Sequence, residues 1–216
     1  MKNIVLFGIQ GSGKGTQGKV IAKKYGYTIF ETGGELRKLI ASGSELGNKI
    51  KAIVEAGKLV DTSVIMEVIE NFLINIPSDQ PVLFDGIPRK MDQKIAFDAL
   101  MQKVDRDFLG VLIEISREEA INRLTSRRMC KDCKEIYPAF YADDKCEKCG
   151  GELEMRQDDS DLSAIENRLD AYKNETKPVI DGYIDEGKML TINGEQVIEN
   201  VTAELIEKVE NELNRN

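Results

Sequence analysis

The segment Ile4-Val5-Leu6-Phe7-Gly8-Ile9-Gln10-Gly11-Ser12-Gly13-Lys14-Gly15-Thr16 opens the chain with an apolar run and a glycine-rich turn. The apolar run predicts a buried parallel strand. Gly8-x-x-x-x-Gly13-Lys14 fits the phosphate-loop pattern, with Gly15-Thr16 where a Ser or Thr usually follows at once. Backbone N–H groups and the next helix N-terminus would point at a phosphate. We expect Lys14 to reach the transferring phosphates and Thr16 to hold Mg²⁺; the alternative is an ordinary glycine turn.

Beyond this segment, apolar runs and helical periodicity alternate along the chain. Four buried strands are predicted, at 4–7, 81–86, 108–115 and 188–192. Helices are predicted after the glycine-rich turn as far as Lys24, over 31–60 with a stop at Gly57, from Asp61, from the capping box at Ser116, from 161 to about Pro178, and over 201–213. The alternation predicts an α/β fold with a parallel central sheet.

Asp85 ends the second predicted strand. A carboxylate at the carboxyl end of a strand beside a phosphate loop can hold Mg²⁺ directly or through water. The alternative is that Asp85 caps the helix that follows Pro88.

The composition excludes several kinds of chemistry. The 216 residues contain no histidine and no tryptophan, so a Ser-His-Asp or Cys-His nucleophile and a His-ligated metal are ruled out. The formal net charge of −8 disfavours binding to nucleic acid through the bulk surface. A signal peptide and an apolar stretch long enough for a membrane span are both lacking, so we expect a cytoplasmic protein without a membrane partner.

All four cysteines lie in one short window, as the pairs Cys130-x-x-Cys133 and Cys146-x-x-Cys149. Paired CxxC turns are typical of a tetrahedral structural Zn²⁺ site, which leaves no open coordination position for catalysis. Two disulfides and a redox CxxC are the alternatives, and iron is a second metal that four thiolates could hold.

Arginines flank the turns and the predicted inserts: Arg37, Arg89, Arg123, Arg127, Arg128, Arg156 and Arg168. Taken singly, each is expected to be a solvated charge. Taken together, they suit the clamping of phosphates, because phosphoryl transfer depends on positioning and on cations around the migrating group.

The motifs resemble those of the adenylate kinase family over nearly the whole chain. The phosphate loop is similar to GxPGxGKGTQ, with Gln10 in place of proline, and Thr32-Gly33-Gly34-Glu35-Leu36-Arg37 is similar to TGDxLR. Asp85-Gly86-Ile87-Pro88-Arg89, followed by Gln93, resembles DGFPR…Q and is the most specific of these stretches. The segments 42–47 and 57–60, and the arginines around the cysteines, also match.

The resemblance implies a P-loop NTPase-type parallel sheet flanked by helices, with two mobile inserts. The core would comprise 1–30, 61–125 and 161–216. An AMP-binding lobe would occupy 31–60, and a zinc-bearing lid would occupy 126–160. The implied reaction is the reversible Mg²⁺-dependent transfer of the terminal phosphoryl of ATP to AMP, and a monomer is expected.

The resemblance also implies a role for each matching residue. The catalytic set is Lys14, Arg89, Arg123, Arg127, Arg156 and Arg168. The ATP set is Gly11, Ser12, Gly13, Lys14, Gly15, Thr16, Arg123, Arg127 and the backbone near Gln196. The AMP set is Thr32, Arg37, Lys58, Val60, Gly86, Arg89, Gln93, Arg156 and Arg168. Thr16 and Asp85 would hold Mg²⁺, and Cys130, Cys133, Cys146 and Cys149 would hold Zn²⁺.

Three departures from the family pattern affect these expectations. Gly34 replaces an aspartate, which removes a carboxylate near the water ligands of magnesium; Ile87 replaces phenylalanine; and the stretch between the cysteine pairs is short. One rival is another nucleoside monophosphate kinase, acting on UMP/CMP or GMP, although Thr32 and Gln93 favour AMP. The other is a zinc-ribbon binding module fused to a regulatory NTPase.

Overall fold

A computed structural model describes residues 1–55, 60–155, 159 and 161–213 of the chain. The strands are β1 (Asn3–Phe7), β2 (Thr28–Glu31), β3 (Val82–Asp85), β4 (Phe108–Glu114), β5 (Arg128–Cys130), β6 (Ile136–Tyr137), β7 (Leu153–Met155) and β8 (Met189–Asn193). The helices are α1 (Lys14–Tyr25), α2 (Thr32–Ser42), α3 (Glu45–Glu55), α4 (Thr62–Ile74), α5 (Met91–Lys103), α6 (Arg117–Ser126), α7 (Leu162–Ala171), α8 (Lys177–Asp185) and α9 (Ile198–Leu213).

The central sheet has the strand order β2-β3-β1-β4-β8, and each neighbouring pair is parallel. All five residues of β1 are buried, as the opening apolar run predicts for a strand that is covered on both faces. Because the strands are parallel, their carboxyl ends lie at one edge of the sheet, which is where α/β proteins bind ligands. The glycine-rich turn after β1 and Asp85 at the end of β3 both lie at this edge.

Helices cover both faces of the sheet. Residues of α4, α5 and α8 form the larger core with one face, and residues of α1 and α9 form a second core with the other. The contact under α1 is close: a Cβ atom on Gly18 would lie 2.8 Å from Leu6 Cδ1 and 3.4 Å from a methyl of Leu83. Glycine at this position therefore brings α1, and with it the phosphate loop, directly onto the sheet.

A second, smaller sheet is formed by the cysteine-bearing segment. Its order is β6-β5-β7, and both pairings are antiparallel. Cys130, Tyr137 and Cys146 are its buried centre. Lys19 of α1 contacts this segment through an ion pair with Glu135 at 2.5 Å.

The α/β fold predicted from the alternation is confirmed, and the predicted boundaries differ from the structure at several places. The helix predicted over 31–60 was wrong as a single element, because the chain forms two helices there, α2 and α3, interrupted at Gly43, which has φ 66°. β2 was not predicted, because a four-residue edge strand with a single buried residue, Phe30, gives little apolar signal. The helix expected to end near Pro178 continues through a π-helical turn, Tyr172–Thr176, into α8. That wider turn removes the backbone hydrogen bond which a proline at the start of α8 cannot make. The last helix begins at Ile198 rather than at 201.

The predicted capping box is present: the Glu119 N–H donates to Ser116 Oγ over 3.2 Å. The predicted helix stop at Gly57 lies outside the described residues. Among the helices that the structure describes, none is both long and apolar enough to span a bilayer.

Candidate functional site

The phosphate loop connects β1 to α1 at the carboxyl edge of the sheet. Gly13, the residue before α1, has φ 95°, and Gly11 has φ 86°, a left-handed region that L side chains rarely adopt. A Cβ atom on Gly11 would also lie 3.2 Å from the backbone oxygen of Ala120. Glycine at these two positions thus lets the chain curl back above the sheet, so that its amides face the space in front of α1.

Lys14 lies across this loop. Its Nζ donates to the carbonyl oxygens of Gly8 at 2.6 Å and Ile9 at 3.0 Å. The pKa of Lys14 is lowered to about 8, mainly by burial; the charge of Asp85 acts in the opposite direction, and the charges of Arg89 and Arg127 contribute to the lowering. The predicted catalytic lysine therefore lies among three other charged residues of the predicted site.

Asp85 ends β3 next to the loop, with Leu6 of β1 as its register partner. Burial raises the pKa of this carboxyl group, the positive charges of Lys14 and Arg89 lower it, and Glu31 raises it. A further cation here would favour the ionised carboxylate. Ser12 Oγ in the same loop is buried and has no partner within the described residues, so a polar atom remains available to a ligand.

Residues predicted to bind AMP cluster at the neighbouring strand ends. Thr32 Oγ1 donates to the backbone oxygen of Asp85 at 3.4 Å. Arg89 folds back so that its Nε donates to Gly86 O at 2.9 Å, and the Arg89 N–H donates to Gln93 Oε1 at 2.8 Å. The Ile87–Pro88 peptide between them is cis, and Ile87 is buried, so the residue that replaces phenylalanine fills a core position.

Arg37 lies at the outer side of this cluster. Its Nη2 is 3.4 Å from Glu31 Oε1, and both side chains are more than half exposed. Val60 packs against the larger core rather than facing open solvent. Lys58 and Arg156, which were also predicted to bind nucleotide, lie outside the described residues.

The arginines predicted at the ATP side are joined by a carboxylate. Asp159 is only 3% exposed, and its two oxygens accept from Arg127 Nε at 2.6 Å and from Arg168 Nη1 at 2.9 Å. No role was predicted for Asp159 from the sequence motifs. The signal was available, since an acidic residue next to an arginine cluster is a natural bridge.

Arg123 links the ATP side to the end of β8. Its Nε donates to Glu119 at 2.6 Å and its Nη2 to the Gly194 backbone oxygen at 2.9 Å. Gln196, two residues farther on, donates to Glu204 Oε2 at 2.6 Å, so its side chain faces α9. Arg128 is separate from this set, because it donates to Asp144 and to the Asp143 backbone oxygen in the smaller sheet.

The four cysteines converge on one point. Their sulfur atoms all lie within 4.8 Å of one another, with Cys130–Cys149 at 3.5 Å and Cys133–Cys146 at 3.4 Å. Four sulfurs at roughly 2.3 Å from a central ion would be about 3.8 Å apart, so this set fits a tetrahedral metal. All four are free thiols, and the disulfide alternative has no support in the structure. Tyr137 Oη lies 3.1 Å from Cys146 Sγ, a contact that would orient this ligand.

Comparisons with known proteins agree with the geometry. The family model described as adenylate kinase matches residues 6–188. The adenylate kinase of Methanothrix thermoacetophila is 39% identical over 94% of this chain and 96% of its own length. Those of Archaeoglobus fulgidus and Kosmotoga olearia are each 35% identical, over 94% and 97% of this chain and 95% and 99% of their own lengths, respectively.

The chain belongs to the adenylate kinase family. It is a phosphotransferase that carries the adenylate kinase activity, in which a phosphoryl group passes from ATP to AMP. The resemblance in the motifs is thereby confirmed, and the UMP/CMP or GMP kinase and the regulatory NTPase are not supported.

Replacing Asp159 by Asn should destabilise the protein and slow the reaction. The change leaves two partly buried guanidinium groups without their shared carboxylate, and breaking such a pair costs about 3 kcal/mol. Denaturant unfolding and steady-state rates measure the two effects. Asp144→Asn is the matched control, because that carboxylate is 97% exposed in its ion pair with Arg128; we expect its cost to be below about 1 kcal/mol. Equal costs for the two variants would contradict the assignment.

Binding of ATP to the free enzyme should take up protons at about pH 8.5. Above its folded pKa of about 8, Lys14 is mostly neutral, and an adjacent polyphosphate would restore the charged form. Affinity for ATP should therefore fall as the pH rises through this pKa. Calorimetry in two buffers with different ionisation enthalpies measures the uptake. Lys14→Arg keeps the charge but should abolish the uptake, and a wild-type uptake near zero would contradict the prediction.

Proposed function

We propose that the described charged residues form an electrostatic clamp that transfers the terminal phosphoryl of ATP to AMP without a general base. The observation that supports this is the meeting of Lys14, Asp85 and Arg89 at one sheet edge, with Arg127 close enough to affect the Lys14 pKa. In this clamp Lys14 and the loop amides of residues 11–16 hold the ATP phosphates. Arg123, Arg127 and Arg168 surround the migrating group, and Arg156 completes the set.

AMP would bind on the opposite side of the transferring group. Arg37 and Arg89 would hold its phosphate, Thr32, Gly86 and Gln93 would line the nucleoside side, and Lys58 and Val60 would contribute backbone contacts. The hydrogen bond from the Arg89 N–H to Gln93 Oε1 supports a joint role, because it ties the phosphate-binding and base-binding residues together. The backbone near Gln196 and the Arg123 side chain would contact the ATP adenine.

The chemistry of this step explains the lack of histidine. The phosphate oxygen of AMP is already ionised at neutral pH, so it can attack the terminal phosphorus of ATP without losing a proton. The bond from that phosphorus to the bridging oxygen of ATP breaks, and the charge that forms on the leaving phosphate is stabilised by cations that are in place beforehand. Two molecules of ADP result.

Mg²⁺ fits the residues at the end of β3. Asp85 supplies a carboxylate beside the phosphate loop, and Thr16, in the first turn of α1, supplies a hydroxyl. Both are oxygen donors, as Mg²⁺ prefers. Held there by Asp85 and Thr16, Mg²⁺ would supply positive charge that offsets the negative charge of the ATP phosphates.

The two segments outside the core would close over the substrates. We propose the division given by the sequence: a core of 1–30, 61–125 and 161–216, an AMP lobe of 31–60 and a lid of 126–160. Asp159 supports it, because this residue at the end of the lid segment pairs with Arg127 at its start and with Arg168 in α7. Closure would exclude water, so that the phosphoryl group reaches AMP rather than a water molecule.

We further propose that Zn²⁺ is the ion held by the four cysteines, that the protein is cytoplasmic and that it works as a monomer. A cluster of four free thiolates requires a reducing compartment. Residues for both nucleotides come from one chain, so catalysis needs no second copy. Nucleic acid and membranes are not expected partners, in keeping with the net charge of −8.

Arg89→Ala should reduce the rate of ADP formation from ATP and AMP roughly 10³-fold, within the range known for removing an arginine from a phosphoryl-transfer site. The reason is that Arg89 lies beside both Lys14 and Asp85. A coupled assay measures the rate. The same assay of the wild-type chain with CMP, UMP and GMP in place of AMP measures how strictly the enzyme selects its acceptor. Arg106→Ala is a matched control, since Arg106 donates to Gln80 O and Pro77 O at the opposite edge of the sheet. An active Arg89→Ala enzyme would refute the site assignment.

Removing the metal should lower the melting temperature more than the turnover. Four cysteine ligands leave no coordination position for substrate, and the ion replaces a hydrophobic core in the small sheet. Cys130→Ser and treatment with a chelator should act alike, and re-adding Zn²⁺ should restore only the chelated wild type. Elemental analysis would distinguish zinc from iron. Loss of turnover at an unchanged melting temperature would show that the metal is not structural.

A further inference from the structure

We propose that Glu31 is a positioning residue for the magnesium site, whose carboxylate holds water ligands of the ion next to Asp85. This inference rests on the Mg²⁺-dependent transfer proposed above. It assigns a role to a residue that lies outside the predicted site.

The sheet register places Glu31 and Asp85 side by side. They are the last residues of β2 and β3 and are direct register partners. Paired residues of parallel strands project to the same face, with the strands about 4.8 Å apart. Two carboxylates therefore start side by side at the carboxyl edge of the sheet, next to the strand that leads into the phosphate loop.

The Glu31 carboxylate lies over the glycines in the first turn of α2. Glu31 precedes α2 but its side chain makes no capping hydrogen bond. Instead, its Oε2 lies 2.9 Å from the position that a Cβ atom on Gly34 would take, and its Oε1 lies 3.4 Å from the corresponding position on Gly33. The carboxylate thus occupies the place where a side chain at position 34 would start. In this chain, a carboxylate at that place therefore comes from position 31.

The contact with Arg37 is too weak to explain why the Glu31 carboxylate lies where it does. Its closest approach is 3.4 Å, and the two side chains are 57% and 71% exposed. An exposed pair of this kind contributes at most about 1 kcal/mol. Mg²⁺, in contrast, keeps several water ligands when it binds through one or two protein oxygens, and carboxylates nearby accept hydrogen bonds from those waters.

Glu31→Gln tests the role, because it keeps the size of the side chain and removes the charge. Binding of Mn²⁺ to the enzyme loaded with AMP and the β,γ-imido analogue of ATP, followed by electron paramagnetic resonance, should weaken about tenfold, the lower end for loss of an outer carboxylate. The Mg²⁺ concentration for half-maximal velocity should rise by a similar factor. Glu35→Gln is the matched control, since Glu35 lies in the first turn of α2, directly after Glu31, and pairs with Lys38 at 2.6 Å.

A second variant asks whether the place of the charge matters. Glu31→Ala combined with Gly34→Asp clears the place that the Glu31 carboxylate occupies and returns a carboxylate to it from position 34, so we expect this double variant to recover most of the Mn²⁺ affinity that Glu31→Ala loses. Failure of this double variant to recover any affinity would overturn the proposal. It would also be overturned if Glu31→Gln changed the KM for AMP alone, which would make Glu31 only a partner of Arg37. If the wild-type enzyme itself showed no dependence on Mg²⁺, the proposed function would fail instead.

Discussion

Parallel pairing around β1 is the constraint on which the rest of the structure depends. A strand that is hydrogen-bonded on both sides and covered on both faces is expected to be apolar. All of β1 is buried, and four of its five residues, 4–7, are apolar. Parallel strands also end at one edge, so the residues that follow β1, β2 and β3 meet there although they are far apart in the sequence. The phosphate loop, Thr32 and Asp85 are neighbours for this reason.

The cations gathered at this edge repel one another, and internal oxygen atoms offset the repulsion. Lys14 donates to two loop carbonyls, Arg89 to Gly86 O, and Arg123 to Gly194 O. Arg127 and Arg168 share Asp159. A neutral carbonyl oxygen positions a cation without cancelling its charge. Lys14 and Arg89 therefore remain strong ligands for a polyphosphate. A site that is organised in this way before the substrate arrives needs little rearrangement during the reaction.

Sequence patterns predicted the fold class, the glycine-rich turn after β1, the position of Asp85 at the end of β3 and the cluster of four cysteines, because each is encoded locally. Hydrophobic periodicity does not predict β2, because its one buried residue is Phe30 and the residues of β3 with which it pairs lie more than fifty positions away. It also fails at Pro178, where a π-helical turn absorbs a residue that usually ends a helix. An acidic residue next to an arginine cluster signals a bridge at Asp159, whereas no spacing along the chain indicates that Glu31 lies beside Asp85; that neighbourhood depends on the sheet register.

The smaller sheet shows how a segment of about thirty residues can hold a defined shape. Its buried centre is limited to Cys130, Tyr137 and Cys146, too little apolar surface to fold alone. Four thiolates around one ion would supply the missing cross-links. The sheet is then anchored to the core by charge: Glu135 reaches Lys19 of α1, and Asp159 spans Arg127 and Arg168. The Lys19–Glu135 pair is partly exposed and can break and re-form, whereas the Asp159 carboxylate is fully buried between Arg127 and Arg168 and holds the end of the segment in place. Under the proposed metal binding, ligation gives the segment its shape, and the charged contacts at its margins set how it lies against the core.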